Sequence, residues 1–307
     1  MKLFLCEYIR PDAYQILKNN FEIIHDVKSI QDCEIIVSRN LKITKTFIDQ
    51  CLSLQLIIIH GSGYDDVDIQ YAKEKNIHLA HTPGQNALSV SELIITMMLE
   101  LSRKTYFLQR DVCDGKIKEV APHQYRGYEI SNKTFGMIGV GHIALKTSQI
   151  LREGFHMHCI GYSPSLTPQK AKEKGIKYCQ SINEVLQDSD YISINTPLTS
   201  DTYHMISFEQ FSLMKPTAYL INTSRGAVIN EDALYDALTH NKIAGAGIDV
   251  LENEPIDQDH RLLKLNNVIY TPHIGGSTDE SLKRVGMKVC EAALSYSHCQ
   301  LCEHLVF

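Results

Sequence analysis

The chain has 307 residues, 44% apolar and 21% charged, with a formal net charge of −6. That composition excludes a disordered or collagen-like chain, and a net negative field gives nucleic acid no general attraction. The length suggests two domains. The longest apolar stretches, Leu56–Ile59 and Leu93–Leu99 broken by Thr96, are too short to span a bilayer. Met1-Lys2-Leu3-Phe4-Leu5 lacks the long apolar core of a cleavable signal. Nine scattered cysteines, an odd number, point to reduced thiols in a cytosol.

In chain order, Lys2–Cys6, Ile23–Asp26, Glu34–Ser38, Leu56–His60 and Ile77–Ala80 read as strands. Helical stretches near 12–19, 45–52 and 67–75 lie between some of them. Alternation of this kind predicts a parallel sheet covered on both faces. Ser89-Val90-Ser91-Glu92 fits a capping box opening a long amphipathic helix that continues to about Leu108. Residues 111–132 have no clear period and read as an arm or linker.

A second α/β unit begins at Thr134. Its predicted strands are Phe135–Ile138, Met157–Gly161, Tyr191–Asn195, Ala218–Asn222, Ala246–Val250 and Val268–Thr271, with helices such as Asn183–Gln187 and Asn230–Thr239 in the gaps. A last amphipathic helix, about 278–297, can pack back on the first unit. The predicted division is 1–98 plus 278–307 for a discontinuous first domain and 99–277 for an inserted second domain. The fold class is α/β: two Rossmann-like doubly wound parallel-sheet domains with a cleft between them.

Strand Phe135–Ile138 runs into Gly139-Val140-Gly141-His142-Ile143-Ala144, a G-x-G-x-x-A turn opening a helix. Gly139 permits the tight turn. Gly141 lets a pyrophosphate approach backbone N–H groups at a helix N-terminus, beside His142 and Ile143. The acidic residue that selects NAD by its ribose hydroxyls belongs at the end of the next strand. That strand ends in Tyr162-Ser163-Pro164-Ser165, with no Asp or Glu before Glu173.

Three further segments end predicted strands: Asn222-Thr223-Ser224-Arg225-Gly226, Asp249-Val250-Leu251-Glu252-Asn253-Glu254-Pro255, and Thr271-Pro272-His273-Ile274-Gly275. Ligands bind at that edge of an open α/β sheet. An Arg, a Glu and a His there can bind a carboxylate, orient an imidazole and move a proton.

With these motifs in this order, the sequence resembles the D-isomer-specific 2-hydroxyacid dehydrogenases, over nearly its whole length. Gly61-Ser62-Gly63-Tyr64-Asp65-Asp66-Val67-Asp68 and Thr82–Glu92 are similar to the family's substrate-domain motifs, and Thr196-Pro197-Leu198-Thr199 to a cofactor-domain motif. The resemblance implies hydride transfer between NAD(P)(H) and a small 2-hydroxy or 2-oxo acid, in a homodimer built on the inserted domain and its 104–130 arm. It implies that Arg225 clamps the substrate carboxylate and polarises the C2 oxygen. His273 is then the general acid/base, and Glu254 hydrogen-bonds it and favours its protonated form. Backbone N–H groups of Ser62 and Gly63 hold the carboxylate. Thr196, Pro197 and Asp249 join Gly139, Gly141, His142, Ile143 and Ser163 in binding the cofactor, with Asp249 at the nicotinamide end. No metal is expected.

Three departures from the family stand out. Ala144 replaces a Gly, Ser163 replaces an Asp, and His156 stands where a Gly is common. Ser163 removes repulsion of a 2′-phosphate, so the reading leans to NADP(H), with dual use close behind. Arg39 lies near, but shifted from, an Arg typical of phosphoglycerate enzymes, which leaves a phosphorylated substrate open. An NAD(H)-sensing interaction protein of the corepressor type is the alternative on the same fold. Formate and phosphite dehydrogenases are disfavoured by Glu254 and Ser62. Asp65, Asp66 and Asp68 read as a helix cap before a metal cluster. His156 and His158, read on one strand face, are core or edge residues. His298, Cys299, Cys302 and His304 lack the second C-x-x-C of a zinc site.

Overall fold

The computed structural model describes residues 1–300 and 304–307. The chain divides into two compact units, Met1–Asn86 with Gly276–Phe307, and Ala87–Gly275. The division falls at Ala87 rather than at residue 99, and at Gly276 rather than 278.

Among its described residues the first unit has five strands: β1 (Lys2–Leu5), β2 (Glu22–Ile24), β3 (Ile35–Ser38), β4 (Leu56–Ile59) and β5 (His78–Ala80). All pair in parallel, in the order β2-β1-β3-β4-β5. Every residue of β3 and β4 is buried, as expected of strands covered on both faces. Full burial of each such Ile or Leu contributes about 1.5–3 kcal/mol. Counted along the whole chain, this unit's helices are α1 (Pro11–Asn20), α2 (Lys45–Ile48), α3 (Ile69–Glu74) and α11 (Asp279–Ser297), and α11 packs on α1. Asp68 is the N-cap of α3, its carboxylate accepting from Tyr71 N.

The second unit has seven parallel strands: β6 (Thr134–Ile138), β7 (His158–Tyr162), β8 (Lys177–Tyr178), β9 (Tyr191–Ile194), β10 (Tyr219–Asn222), β11 (Gly245–Ile248) and β12 (Val268–Tyr270). Their order is β12-β11-β10-β9-β6-β7-β8. The chain reverses direction across the sheet between β6 and β9, which creates the crevice where such sheets bind ligands. The helices are α4 (Ala87–Arg103), α5 (Thr105–Cys113), α6 (His142–Phe155), α7 (Pro168–Glu173), α8 (Ile182–Asp188), α9 (Phe208–Leu213) and α10 (Glu231–Thr239).

Several expectations need correction. Helix α4 starts two residues before Ser89 and packs on α6, β10 and β11, so it belongs to the second unit. Ser89 is therefore no N-cap; its hydroxyl donates to Gly275 O at 2.6 Å. The apolar pattern to Leu108 covers two helices, broken at Lys104, whose φ of 55° is left-handed. His156 lies outside the strand that holds His158. It ends α6 with φ 55°, a backbone conformation that explains why glycine is common there. Strand β8 is too short to stand out in the sequence. Cys302 lies outside the described residues. Among the described residues no group of three His, Cys, Asp or Glu side chains is placed to hold a metal. No helix among them is long and apolar enough to cross a membrane.

Candidate active site

Strands β10, β11 and β12 are neighbours, and Arg225, Glu254 and His273 lie in the segments that follow them. Each segment is tied down by a polar residue at the strand's end. Asn222, only 1% exposed, closes β10. Its Nδ2 donates to Arg225 O at 2.9 Å, and its Oδ1 accepts from Ser224 N at 3.0 Å and Ser224 Oγ at 2.8 Å. Arg225 donates through a guanidinium nitrogen to Ser224 O at 2.8 Å. Gly226 follows because nothing larger fits: a Cβ there would lie 1.9 Å from the backbone carbonyl carbon of Leu251. The Arg225 and Glu254 segments thus meet backbone to backbone.

Asp249 follows β11 and is also 1% exposed. Its Oδ1 accepts from Thr271 Oγ1 at 2.6 Å and Ile274 N at 2.9 Å, and its Oδ2 from Gly275 N at 2.9 Å. His273 N donates to Asp249 O at 2.8 Å. These bonds wrap the 271–275 turn around one carboxylate and hold His273 at a left-handed φ of 54°. The role at the nicotinamide end implied for Asp249 would have to act through this turn, since both its oxygens are engaged.

The turn brings His273 Nδ1 to 2.8 Å from Glu254 Oε2. Glu254 Oε1 accepts from Leu251 N at 3.0 Å. Burial works against ionising Glu254, but the His273 hydrogen bond and charge, the Leu251 amide and the nearby Arg225 charge outweigh it. Its carboxyl is held below the ordinary value. Facing a carboxylate, His273 Nδ1 must donate, which leaves Nε2 as its working nitrogen. The ring's side chain keeps 43% of its exposure, enough for a ligand to reach it.

On the other half of the same edge, Gly139 takes φ 86°, and a Cβ on it would lie 2.6 Å from Asn195 O. This is the close approach of β6 and β9 at the reversal point. Gly141 is the N-cap of α6 with no side-chain cap, and a Cβ there would meet nothing within 4 Å. The first N–H groups of α6, from His142 and Ile143 onward, have no capping side chain. Ala144 is fully buried. Thr196 Oγ1 is buried without a hydrogen-bond partner, as is Thr223 Oγ1. Such a hydroxyl costs about 1–3 kcal/mol unless something pairs with it. A bare helix N-terminus, an open cradle at Gly141 and an orphaned Thr196 hydroxyl fit a dinucleotide pyrophosphate. Pro197 follows Thr196 on the same loop and is exposed.

Ser163 sits just past β7, with its Oγ 3.4 Å from Ser165 Oγ. Lys170 Nζ donates to Ser165 O at 3.5 Å, which brings an ammonium onto this turn. In the first unit, Gly61 O accepts from Thr82 N at 2.9 Å, Ser62 O lies 3.0 Å from His81 Nδ1, and Ser62 Oγ donates to Asn86 Oδ1 at 3.1 Å. None of these bonds uses the Ser62 or Gly63 N–H. Arg39 donates to Ser277 Oγ at 2.8 Å. Asn222, Thr223 and Thr271 belong to the site but stand out only once the strand ends are known: each is a polar residue at or just past the end of a buried strand.

A sheet of this order, with a glycine turn at its reversal point and an imidazole–carboxylate pair beside an arginine, defines a dinucleotide-dependent dehydrogenase. Residues 95–275 match the family described as D-isomer specific 2-hydroxyacid dehydrogenase, NAD binding domain. The chain is 34% identical over 321 aligned residues to D-3-phosphoglycerate dehydrogenase of Methanocaldococcus jannaschii, covering all of this chain but only 59% of that one. It is 33% identical over 282 residues to glyoxylate reductase of Korarchaeum cryptofilum, covering 91% and 84% of the two chains. Among solved structures, D-lactate dehydrogenase from Aquifex aeolicus complexed with NAD and lactic acid is 29% identical, with TM-score 0.88 over 100% of this chain and 99% of that one. An acyclic imino acid reductase in complex with NADPH and D-Arg is 27% identical, with TM-score 0.89 over all of both chains. The chain belongs to the D-isomer-specific 2-hydroxyacid dehydrogenase family.

Proposed function

We propose that the chain interconverts a small 2-oxo acid and its D-2-hydroxy acid with NAD(P)(H). The observation that carries this is the 2.8 Å His273–Glu254 contact beside Arg225. Arg225 presents a planar fork suited to a carboxylate, and its charge also polarises the C2 oxygen. His273 Nε2 gives a proton to that oxygen during reduction and removes it during oxidation. Glu254 stabilises the imidazolium and fixes the ring's orientation. Asp249 holds the turn that aims the ring. The N–H groups of Ser62 and Gly63 are assigned to the carboxylate as well. When bound, the nicotinamide supplies or accepts the hydride. Gly139, Gly141, His142, Ile143, Thr196 and Pro197 would hold the dinucleotide.

The Ser163 turn supports NADP(H), with dual use close behind: no carboxylate repels a 2′-phosphate and Lys170 stands on the turn. Exposed Tyr106, Val112, Val120 and Tyr128 on the 104–130 arm support a homodimer. Nine scattered cysteines, an odd number, support a cytoplasmic enzyme. The chain spans 59% of the length of the Methanocaldococcus jannaschii relative. Nothing in the named relatives supports the corepressor-type alternative.

The test is turnover of glyoxylate, hydroxypyruvate, pyruvate, 2-oxoisocaproate and 3-phosphohydroxypyruvate with NADH and NADPH. Turnover of at least one, lowered by on the order of a hundredfold or more in His273→Ala, is expected. Cofactor binding with no turnover of any would favour the sensing alternative.

A further inference from the structure

We propose that Glu231 is a positioning residue for the His273–Glu254 pair, acting through the segment that carries Glu254. The inference rests on the reading of that pair given above.

Segment 252–260 leaves the sheet edge after β11 and returns at the 3-10 helix Arg261–Lys264. One carboxylate holds both its ends. Glu252 N donates to Glu231 Oε1 at 2.9 Å, and His260 Nε2 lies 3.2 Å from Glu231 Oε2. The donor at the second contact follows from geometry. His260 Nδ1 accepts from Leu262 N at 3.4 Å as the cap of the 3-10 helix, so Nε2 carries the proton. Glu231 is itself well anchored. It is the first residue of α10, whose N-cap Asn230 accepts from Ala233 N at 3.0 Å, and its side chain is only 17% exposed.

Between the clamped ends sits Glu254, reaching His273 with one oxygen and Leu251 N with the other. The chain from Arg225 leads through Gly226–Val228 directly into α10. Gly226 packs on the backbone of Leu251 and Glu252. Glu231 therefore ties the segment after β10 to the segment after β11 at a second point. Other charged groups around it are engaged elsewhere. The Glu252 carboxylate faces His204 Nε2 at 3.2 Å and Tyr203 OH at 3.3 Å, and Asp232 pairs with Arg261. Around the pair itself stand Arg225, Asp249 and Tyr270.

The test uses Glu231→Gln, which keeps the size but has a single acceptor oxygen, so one of the two clamps is lost. The kcat for 2-oxo acid reduction is expected to fall about tenfold, the scale of a small misplacement of a reacting group. The dissociation constant for NADPH or NADH, read by nucleotide fluorescence, is expected to stay within about twofold. The alkaline limb of the pH profile is expected to move to lower pH, as in Glu254→Gln. In the Glu254→Gln background, Glu231→Gln is expected to add less than about twofold, because both changes act through one contact. An equal loss in both backgrounds, or no loss in either, would overturn the proposal. Should Glu231→Gln fail to fold, His260→Gln carries the same cycle with the same criteria. If the wild type turns over no 2-oxo acid, the functional reading fails and the positioning role is read by NMR of ring-labelled histidine. The His273 Nδ1–H signal is then expected in wild type, absent in Glu254→Gln and broadened in Glu231→Gln. Identical spectra for wild type and Glu231→Gln would overturn it.

Discussion

The edge of the seven-stranded sheet is wired differently in its two halves. Beyond β10, β11 and β12, side chains are pinned by neighbours, the orphaned Thr223 hydroxyl excepted: Asn222 fixes the Arg225 backbone, Asp249 wraps the His273 turn, and Glu254 bridges Leu251 and His273. Beyond β6 and β9, polar groups stay open. The first N–H groups of α6 have no capping side chain, Gly141 faces empty space, and Thr196 Oγ1 has no partner. Acid/base groups must be in place before the reaction, so their hydrogen bonds are made within the protein. A large ligand must be admitted, so its half of the edge leaves donors for it to satisfy.

This contrast can be broken at single residues. The largest effect is expected on the pinned half. His273→Ala should lower kcat by on the order of a hundredfold or more, the usual worth of a general acid/base. Cofactor binding, measured by nucleotide fluorescence, should be unchanged. Arg225→Lys keeps the charge but loses the fork. Steady-state kinetics should give mainly a raised KM for the 2-oxo acid, by about tenfold or more, with a smaller change in kcat.

The two glycines sharpen the contrast further. Gly226→Ala drives a methyl into the Leu251 backbone, so thermal unfolding should show a loss on the order of 1–3 kcal/mol. Gly141→Ala meets nothing within 4 Å. It should leave the melting temperature nearly unchanged while weakening nucleotide binding, since the methyl occupies space kept for the pyrophosphate. Equal effects of the two on stability would erase the distinction between the halves.

The smallest effect is expected at the far end of the open half. Ser163→Asp restores an acceptor for the ribose hydroxyls and repels a 2′-phosphate. The ratio of kcat/KM for NADH to that for NADPH should rise by at least about tenfold, equivalent to 1.4 kcal/mol. A wild type that already prefers NADH by more than about a hundredfold would refute the reading of this turn.

The strands were legible because both sheets are buried on both faces, so each strand is a short continuous apolar run such as Leu56–Ile59. The glycine turn and the Arg225, Glu254 and His273 positions were legible because each follows such a run. Other features depended on tertiary structure. The break at Lys104 leaves the apolar pattern intact, so two helices read as one. Ser89 has the spacing of a cap, but its hydroxyl serves Gly275. Glu231 looks like an acidic residue placed to suit a helix N-terminus; its two partners lie at positions 252 and 260, and only folding brings them to it. Asn222 reads as the polar end of a strand, and its contacts with Ser224 and Arg225 depend on the local turn.

The Glu254–His273 contact is central to the pinned half of the contrast, and its sign in pH is fixed. A carboxylate held below its ordinary value stays ionised throughout the neutral range, so it supports the imidazolium across that range. Removing it takes that support away. The most direct measurement is kcat/KM for 2-oxo acid reduction against pH, in wild type and Glu254→Gln. The variant should remain active, with its alkaline limb displaced to lower pH. Superimposable profiles would contradict the assignment of Glu254 and His273 as an acid/base pair.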